Sequence, residues 1–219
     1  MKKKSILVIG AGRFGTHFMK KMSALGHEVL AVDKSEARID KVVSFVTSTL
    51  IGDSTDYEFI KSLDVPSFDV CMVTIGDDFQ SSLETTSLLK EAGAKYVIAR
   101  ASRGVQEKFL LRNGADSVVY PEKQVAEWAA IRYSSSDICD YIEVSEDYAI
   151  FELEVPAEWV GKTVQALQIR PKMHLNILAI KRDGVTNVEV KPDSVFKKGD
   201  TFLVLGKDEN LKKYLHVKY

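Results

Sequence analysis

The chain has 219 residues, 45% hydrophobic and 28% charged, with a net charge of −1. This is an ordinary globular composition with room for one large or two small domains. A near-zero net charge argues against broad electrostatic binding to nucleic acid or to anionic lipid. The Met1-Lys-Lys-Lys start precedes only four apolar residues before Gly10, too few for a signal-peptide core, and no apolar run approaches a membrane span. The two cysteines, Cys71 and Cys139, form no metal-like or redox-like spacing and suit a reducing cytoplasm.

The first third of the chain carries the densest signal. Residues 6–9 read as an apolar strand, followed at once by Gly10, Gly12 and Gly15 in the pattern G-x-G-x-x-G. Gly10 permits the tight turn, Gly12 lets a pyrophosphate approach the backbone, and Gly15 lets the helix pack closely on the sheet. The helix expected over 13–25 points its unpaired N–H groups and positive dipole end at that phosphate position. Asp33 ends the second strand roughly 20 residues past the glycines, where a carboxylate accepts the ribose hydroxyls. Arg13 lies in the same turn. An arginine at a helix start opposes the dipole, so pairing with a terminal phosphate is the better account of it.

From residue 5 to about 120, strand and helix patterns alternate. Strands are expected at 6–9, 29–32, 49–51, 69–75, 96–99 and 117–119, with helices at 13–25, 35–46, 56–63, 79–92 and 104–113. This pattern predicts an α/β, doubly wound parallel sheet of Rossmann type, with its ligand at the carboxyl ends of the strands. Those ends gather Gly10, Asp33, Gly52-Asp53-Ser54, Ile75-Gly76-Asp77, Arg100 and Tyr120-Pro121-Glu122. Asp53 suits either an adenine amino group or the N-cap of the next helix. Gly76 would admit the backbone to the ribose or phosphates.

A helix over 122–133 carries Val125 and Trp128, and would serve as a dimer seam or as a lid on the first domain. Ser134-Ser135-Ser136-Asp137 breaks it, giving domains 1–136 and 137–219. The second reads as a small α+β module. It has strands at 148–155, 175–181, 188–191 and 201–205, a short helix or turn at 159–167, an Asp183-Gly184 hairpin and a closing helix at 208–214. It holds no nucleophile–base pair and no paired acids. His174 and His216 are isolated and read as structural or surface residues.

The segments VIGAGRFG, LGHEVLAVD, IGDSTD and VTIGDD, residues 95–100, and GADSVVYPEK together resemble the TrkA-N (RCK) domain. RPKMHLNILAI and PDSVFKKGDTFLVLG resemble the TrkA-C module. This is the family of cytosolic regulatory domains of potassium channels and transporters, and the likeness covers nearly the whole chain. It implies a non-enzymatic gating subunit, built as dimers assembling into an octameric ring, that binds ATP or ADP. The partner would be a membrane potassium channel or transporter subunit of the TrkH/KtrB type, placing the chain in the cytoplasm against the inner membrane face.

By position, Arg13 in Gly12-Arg13-Phe14-Gly15 matches an arginine that reaches the γ-phosphate across a dimer. Asp33, with Ser35 beside it, matches the ribose ligand, and Asp53 and Ser54 match positions near the adenine. Ile75, Gly76 and Asp77 match the strand-four contact, and Arg100 with Ser102 the strand-five contact. Gln106 stands where the family carries a histidine. Glu122 matches an acid that joins a divalent or monovalent cation near the phosphates, and Arg170 matches an arginine contacting cyclic di-AMP in the TrkA-C module. Two other functions share these features. An NAD-dependent oxidoreductase would use the same glycines and Asp33, and NAD(H) could also bind as a regulator. A cyclic di-AMP receptor would act through the second module.

Overall fold

The computed structural model describes residues 2–145 and 147–215, which form two compact units, 1–122 and 123–219. The division falls inside a helix rather than at the break over 134–137. His216 lies outside the described residues.

The first unit runs β1 (Ser5–Ile9), α1 (Arg13–Ala24), β2 (Glu28–Asp33), α2 (Glu36–Ile39), β3 (Ser48–Ile51) and α3 (Tyr57–Ser62). It continues with β4 (Val70–Val73), α4 (Phe79–Glu91), β5 (Val97–Arg100), α5 (Gly104–Arg112), β6 (Ser117–Val119) and the start of α6 (Pro121–Arg132). All pairings are parallel, and the sheet order is β3-β2-β1-β4-β5-β6. The two halves wind outward from β1 and β4, so the topological switch point lies between those strands.

The continuous apolar strands are explained by burial on both faces. Leu7, Ile9, Val32, Cys71, Val73, Val97 and Ala99 enter one core, with Ile60 and Leu89 from the helices. The alternate residues Ile6, Val8, Val29, Ala31 and Met72 enter the other, against Met19 and Val42.

Two expectations for this unit are corrected. The helix expected over 35–46 is one turn only, Glu36–Ile39. The apolar spacing of Ile39, Val42 and Val46 imitates a helix, but β-branched neighbours and Ser44 disfavour one. Instead the segment turns back, burying Val42, and Thr47 exchanges bonds with Val29 at 3.0 Å each way. The strand expected over 69–75 stops at Val73. Thr74, just past the end of β4, still donates its N–H to Ile9 at 2.8 Å.

The second unit holds most of α6, then β7 (Ile138–Ser145), β8 (Tyr148–Glu154), α7 (Val164–Leu167), α8 (Ile169–Met173), β9 (Asn176–Arg182), β10 (Val185–Asn187), β11 (Thr201–Lys207) and α9 (Asp208–Leu215). Its antiparallel sheet has the order β10-β9-β11-β8-β7 over a core centred on Phe151, Trp159, Phe196 and Phe202. The strand expected over 188–191 is displaced to Val185–Asn187. Asp183 (φ 50°) and Gly184 (φ 78°) form a two-residue turn that pairs Val185 directly with Arg182. The pairing ends where Asn187 accepts the N–H of Glu189 at 2.9 Å. His174 is an exposed residue in the left-handed conformation just after α8. Among the described residues, no helix is long and apolar enough to cross a membrane.

Candidate functional site

A cavity of about 640 Å³ opens at the carboxyl edge of the parallel sheet. Its floor is the turn from β1 into α1. Gly10 has φ 102° and donates to Val32 at 2.7 Å, while the buried Thr74 hydroxyl lies 2.5 Å from the Gly10 carbonyl and 3.0 Å from that of Ile9. A Cβ on Gly15 would lie 2.1 Å from the Gly10 carbonyl and 2.6 Å from the Thr74 hydroxyl, so this glycine serves helix–sheet packing. Gly12 is different. A Cβ there meets nothing within 4 Å, and Gly12 borders the cavity as the N-cap of α1, with no side-chain cap bond. No acid occupies the first turn, and Arg13 opens the helix at the cavity edge. A helix start left uncapped and free of acids is electrostatically suited to an anion.

One wall follows β2. Asp33 is 5% exposed. Its Oδ2 accepts the Ala11 N–H at 2.7 Å and its Oδ1 the Ser35 N–H at 2.9 Å, which fixes the carboxylate and leaves each oxygen a free lone pair. Lys34 and Arg38 also line the cavity, with Arg38 Nη1 3.6 Å from Asp33 Oδ2. Ser35 precedes α2 and meets Asp33 through its backbone.

Asp53 lines the same cavity but does not cap α3. The cap is Asp56, which accepts from Glu58 at 2.9 Å, while Asp53 Oδ1 takes the Thr55 N–H at 3.0 Å and its hydroxyl at 2.8 Å. Those two bonds hold the Asp53 carboxyl below the usual range and leave Oδ2 as an acceptor. Ser54, though at the cavity, is buried with its hydroxyl 2.8 Å from that of Thr85.

The opposite wall is built around Arg100. Its guanidinium lies 5.8 Å from the Phe14 ring, pairs with Glu122, and packs so closely on Gly76 that a Cβ there would sit 2.0 Å from Nη1. Its Nε is buried without a partner. Partial burial raises the Glu122 carboxyl, but its own backbone N–H, then Arg100 and finally Arg13 outweigh that and hold it below the ordinary range. Ile75 and Asp77 line this side, whereas Ser102 and Gln106 stand outside the lining. The Ser102 N–H donates to Gln106 at 2.8 Å and its hydroxyl to Gly76 at 3.2 Å, so both buttress the wall from behind.

Sequence reasoning missed Thr74, Lys34, Arg38, Asp78 and Ser81 among the lining residues. Asp78 caps α4 through Ser81, at 2.6 Å to the hydroxyl and 3.1 Å to the N–H, which lowers its carboxyl. Arg38 was detectable as a cation shortly after the strand-two acid. Thr74 had no sequence signal beyond its place at the end of an apolar strand. Among the described residues, no group of three or more His, Cys, Asp or Glu is placed to hold a metal. Arg170 lies in the second unit, in a separate cavity of about 480 Å³ lined also by Asn176, Lys191 and Pro192.

The TrkA-N domain family matches residues 6–121 and the TrkA-C domain family residues 148–217. The chain is 36% identical over 220 residues to Ktr system potassium uptake protein C of Bacillus subtilis (strain 168), covering 99% of this chain and 100% of that protein. It is 32% identical to Ktr system potassium uptake protein A of the same organism, over 98% of this chain and 96% of that one. Among solved structures, the GsuK channel bound to NAD matches with a TM-score of 0.69 at 17% identity. That match covers 99% of this chain and 39% of the GsuK chain, and at this identity it speaks for the fold alone. A parallel sheet wound outward from a glycine turn, an antiparallel module after it, both TrkA family models and similarity running nearly end to end with two Ktr proteins make this chain a member of the RCK/TrkA family, of the KtrA type.

Proposed function

We propose that this chain is a regulatory, nucleotide-binding subunit of a potassium transport system. ATP or ADP occupies the cavity above the parallel sheet. The observation that carries this reading is the pairing across one cavity of a bare helix start at Gly12 with the fixed carboxylate of Asp33. Phosphates suit the first and a ribose diol the second. The free oxygen of Asp53 would accept the adenine amino group, and Ile75, Gly76 and Asp77 would border the nucleoside. Relatives named as potassium uptake proteins support the transport role, and GsuK with NAD supports a nucleotide in this fold.

The regulatory step follows from differential contact, because a nucleotide shifts a two-state assembly only if it binds the two states unequally. Arg13 and Arg100 are the cations placed to meet phosphates. An Arg13 reaching the terminal phosphate of a neighbouring copy would link protomers in ATP but not in ADP. Charge-assisted bonds of about 1.5–3 kcal/mol, repeated around a ring of dimers, exceed the roughly 5.5 kcal/mol that carries an equilibrium from 1:99 to 99:1. The described chain offers Glu122 as its cation ligand near the phosphates, already engaged by Arg100, so a bound cation would take its remaining ligands from the phosphates. The membrane partner would be a TrkH/KtrB-type potassium channel or transporter subunit. Residues 1–136 would form the nucleotide domain, and 137–219, with Arg170, a module able to take cyclic di-AMP. NAD(H) fits the same Asp33 geometry.

Mass spectrometry of the co-purifying nucleotide, with calorimetric titration of ATP, ADP and NAD(H), tests the reading. A protein that binds none of them, or that turns over NAD(H) with simple alcohols or acids, overturns it.

A further inference from the structure

Arg38 stands against the ribose carboxylate in an unusual geometry. Its Nη1 is 3.6 Å from Asp33 Oδ2, too long for a hydrogen bond, and its side chain is half exposed at the cavity wall. Asp33 already satisfies one lone pair of each oxygen with the N–H groups of Ala11 and Ser35, so Arg38 is not needed to fix it. A gap of this width leaves room for one oxygen within hydrogen-bond reach of both groups. A ribose 2′-hydroxyl is such an atom. It has one hydrogen to donate, which suits Asp33 Oδ2, and two lone pairs free to accept from a donor beside it. Arg38, carrying donors only, supplies it.

We propose that Arg38 is a specificity-determining residue of the nucleotide site: with Asp33 it reads the ribose 2′-hydroxyl and selects ribonucleotides over 2′-deoxyribonucleotides. This rests on the nucleotide reading of the cavity. Removing the hydroxyl leaves the buried carboxylate and the guanidinium without their shared partner. A site built around a hydroxyl in this way rejects the analogue lacking it. One lost bond to a charged group corresponds to about a tenfold or greater preference for ADP over 2′-deoxy-ADP.

The test is calorimetric titration of the full chain with ADP and with 2′-deoxy-ADP, in the wild type and in Arg38→Gln and Arg38→Lys. The wild type is expected to prefer ADP about tenfold or more. Arg38→Gln should lose most of that ratio, and Arg38→Lys should recover part of it. A merely structural role for Arg38 would weaken both ligands alike and leave the ratio standing, which overturns the proposal. Equal affinity of the wild type for the two ligands also overturns it. If the wild type binds neither ligand, the nucleotide reading itself fails and this inference falls with it.

Discussion

Replacing Gly12 by alanine separates binding from folding. Gly12 has φ −70°, a value open to alanine, and the added methyl meets no protein atom within 4 Å. The folded state should therefore change by at most about 1 kcal/mol, since alanine is a poorer N-cap than glycine but has less freedom to lose on folding. The same methyl enters the edge of the cavity beside the uncapped start of α1. A phosphate pushed away from that start loses at least one charge-assisted bond, worth about 1.5–3 kcal/mol, which weakens ADP roughly 10- to 100-fold. Calorimetric titration with ADP, run beside thermal unfolding of the ligand-free protein, measures both quantities. Wild-type affinity in a normally folded Gly12→Ala protein would refute the placement of the phosphates. A collapse in stability would instead refute the claim that the space at Gly12 is kept for a ligand.

Gly15→Ala should do the reverse, costing about 1–3 kcal/mol or more of stability, because its methyl would press on the Gly10 carbonyl at 2.1 Å; unfolding in urea measures this. Arg13→Ala should weaken ATP more than ADP in the same titrations, and equal losses would mean that Arg13 does not reach the terminal phosphate. In the second unit, Arg182 grips Asp200 through two bonds of 2.8 and 2.6 Å and lowers its carboxyl. A carboxyl lowered on folding stabilises fully above its unfolded pKa of about 3.9 and loses that stabilisation as the pH falls through its folded value. Asp200→Asn should therefore flatten the loss of stability between about pH 5 and pH 2 in denaturant titrations.

The architecture of the first unit was legible because its determinants are local. Apolar runs buried on both faces must be parallel strands, and glycines at fixed spacing admit few turns. Boundaries failed where a tertiary contact overrode a local pattern, as where the Thr47–Val29 exchange cut short the helix expected over 35–46. The strand Ile138–Ser145 escaped notice because it is an edge strand with shifted register and mixed polarity, lacking clean alternation. At the cavity, residues whose own chemistry suggests a role, such as Asp33 and Arg13, were visible. Thr74 was not, since its role depends on β4 lying beside β1, a neighbour remote in sequence. Asp53 was ambiguous for a related reason: Asp53 and Asp56 both suit an N-cap, and only the local geometry assigns the cap to Asp56.

The Thr74 hydroxyl, tied to two consecutive carbonyls, has a consequence for signalling. It sets the base of the pocket before any visitor arrives, by joining the two central strands at their ends. If adenine nucleotides bind as proposed, a base fixed in this way meets each of them alike and carries no news of how many phosphates follow. On the proposed nucleotide reading, that distinction falls to exposed side chains around the opening, Arg13 foremost, so the readout of the tail is a property of the perimeter rather than of the scaffold.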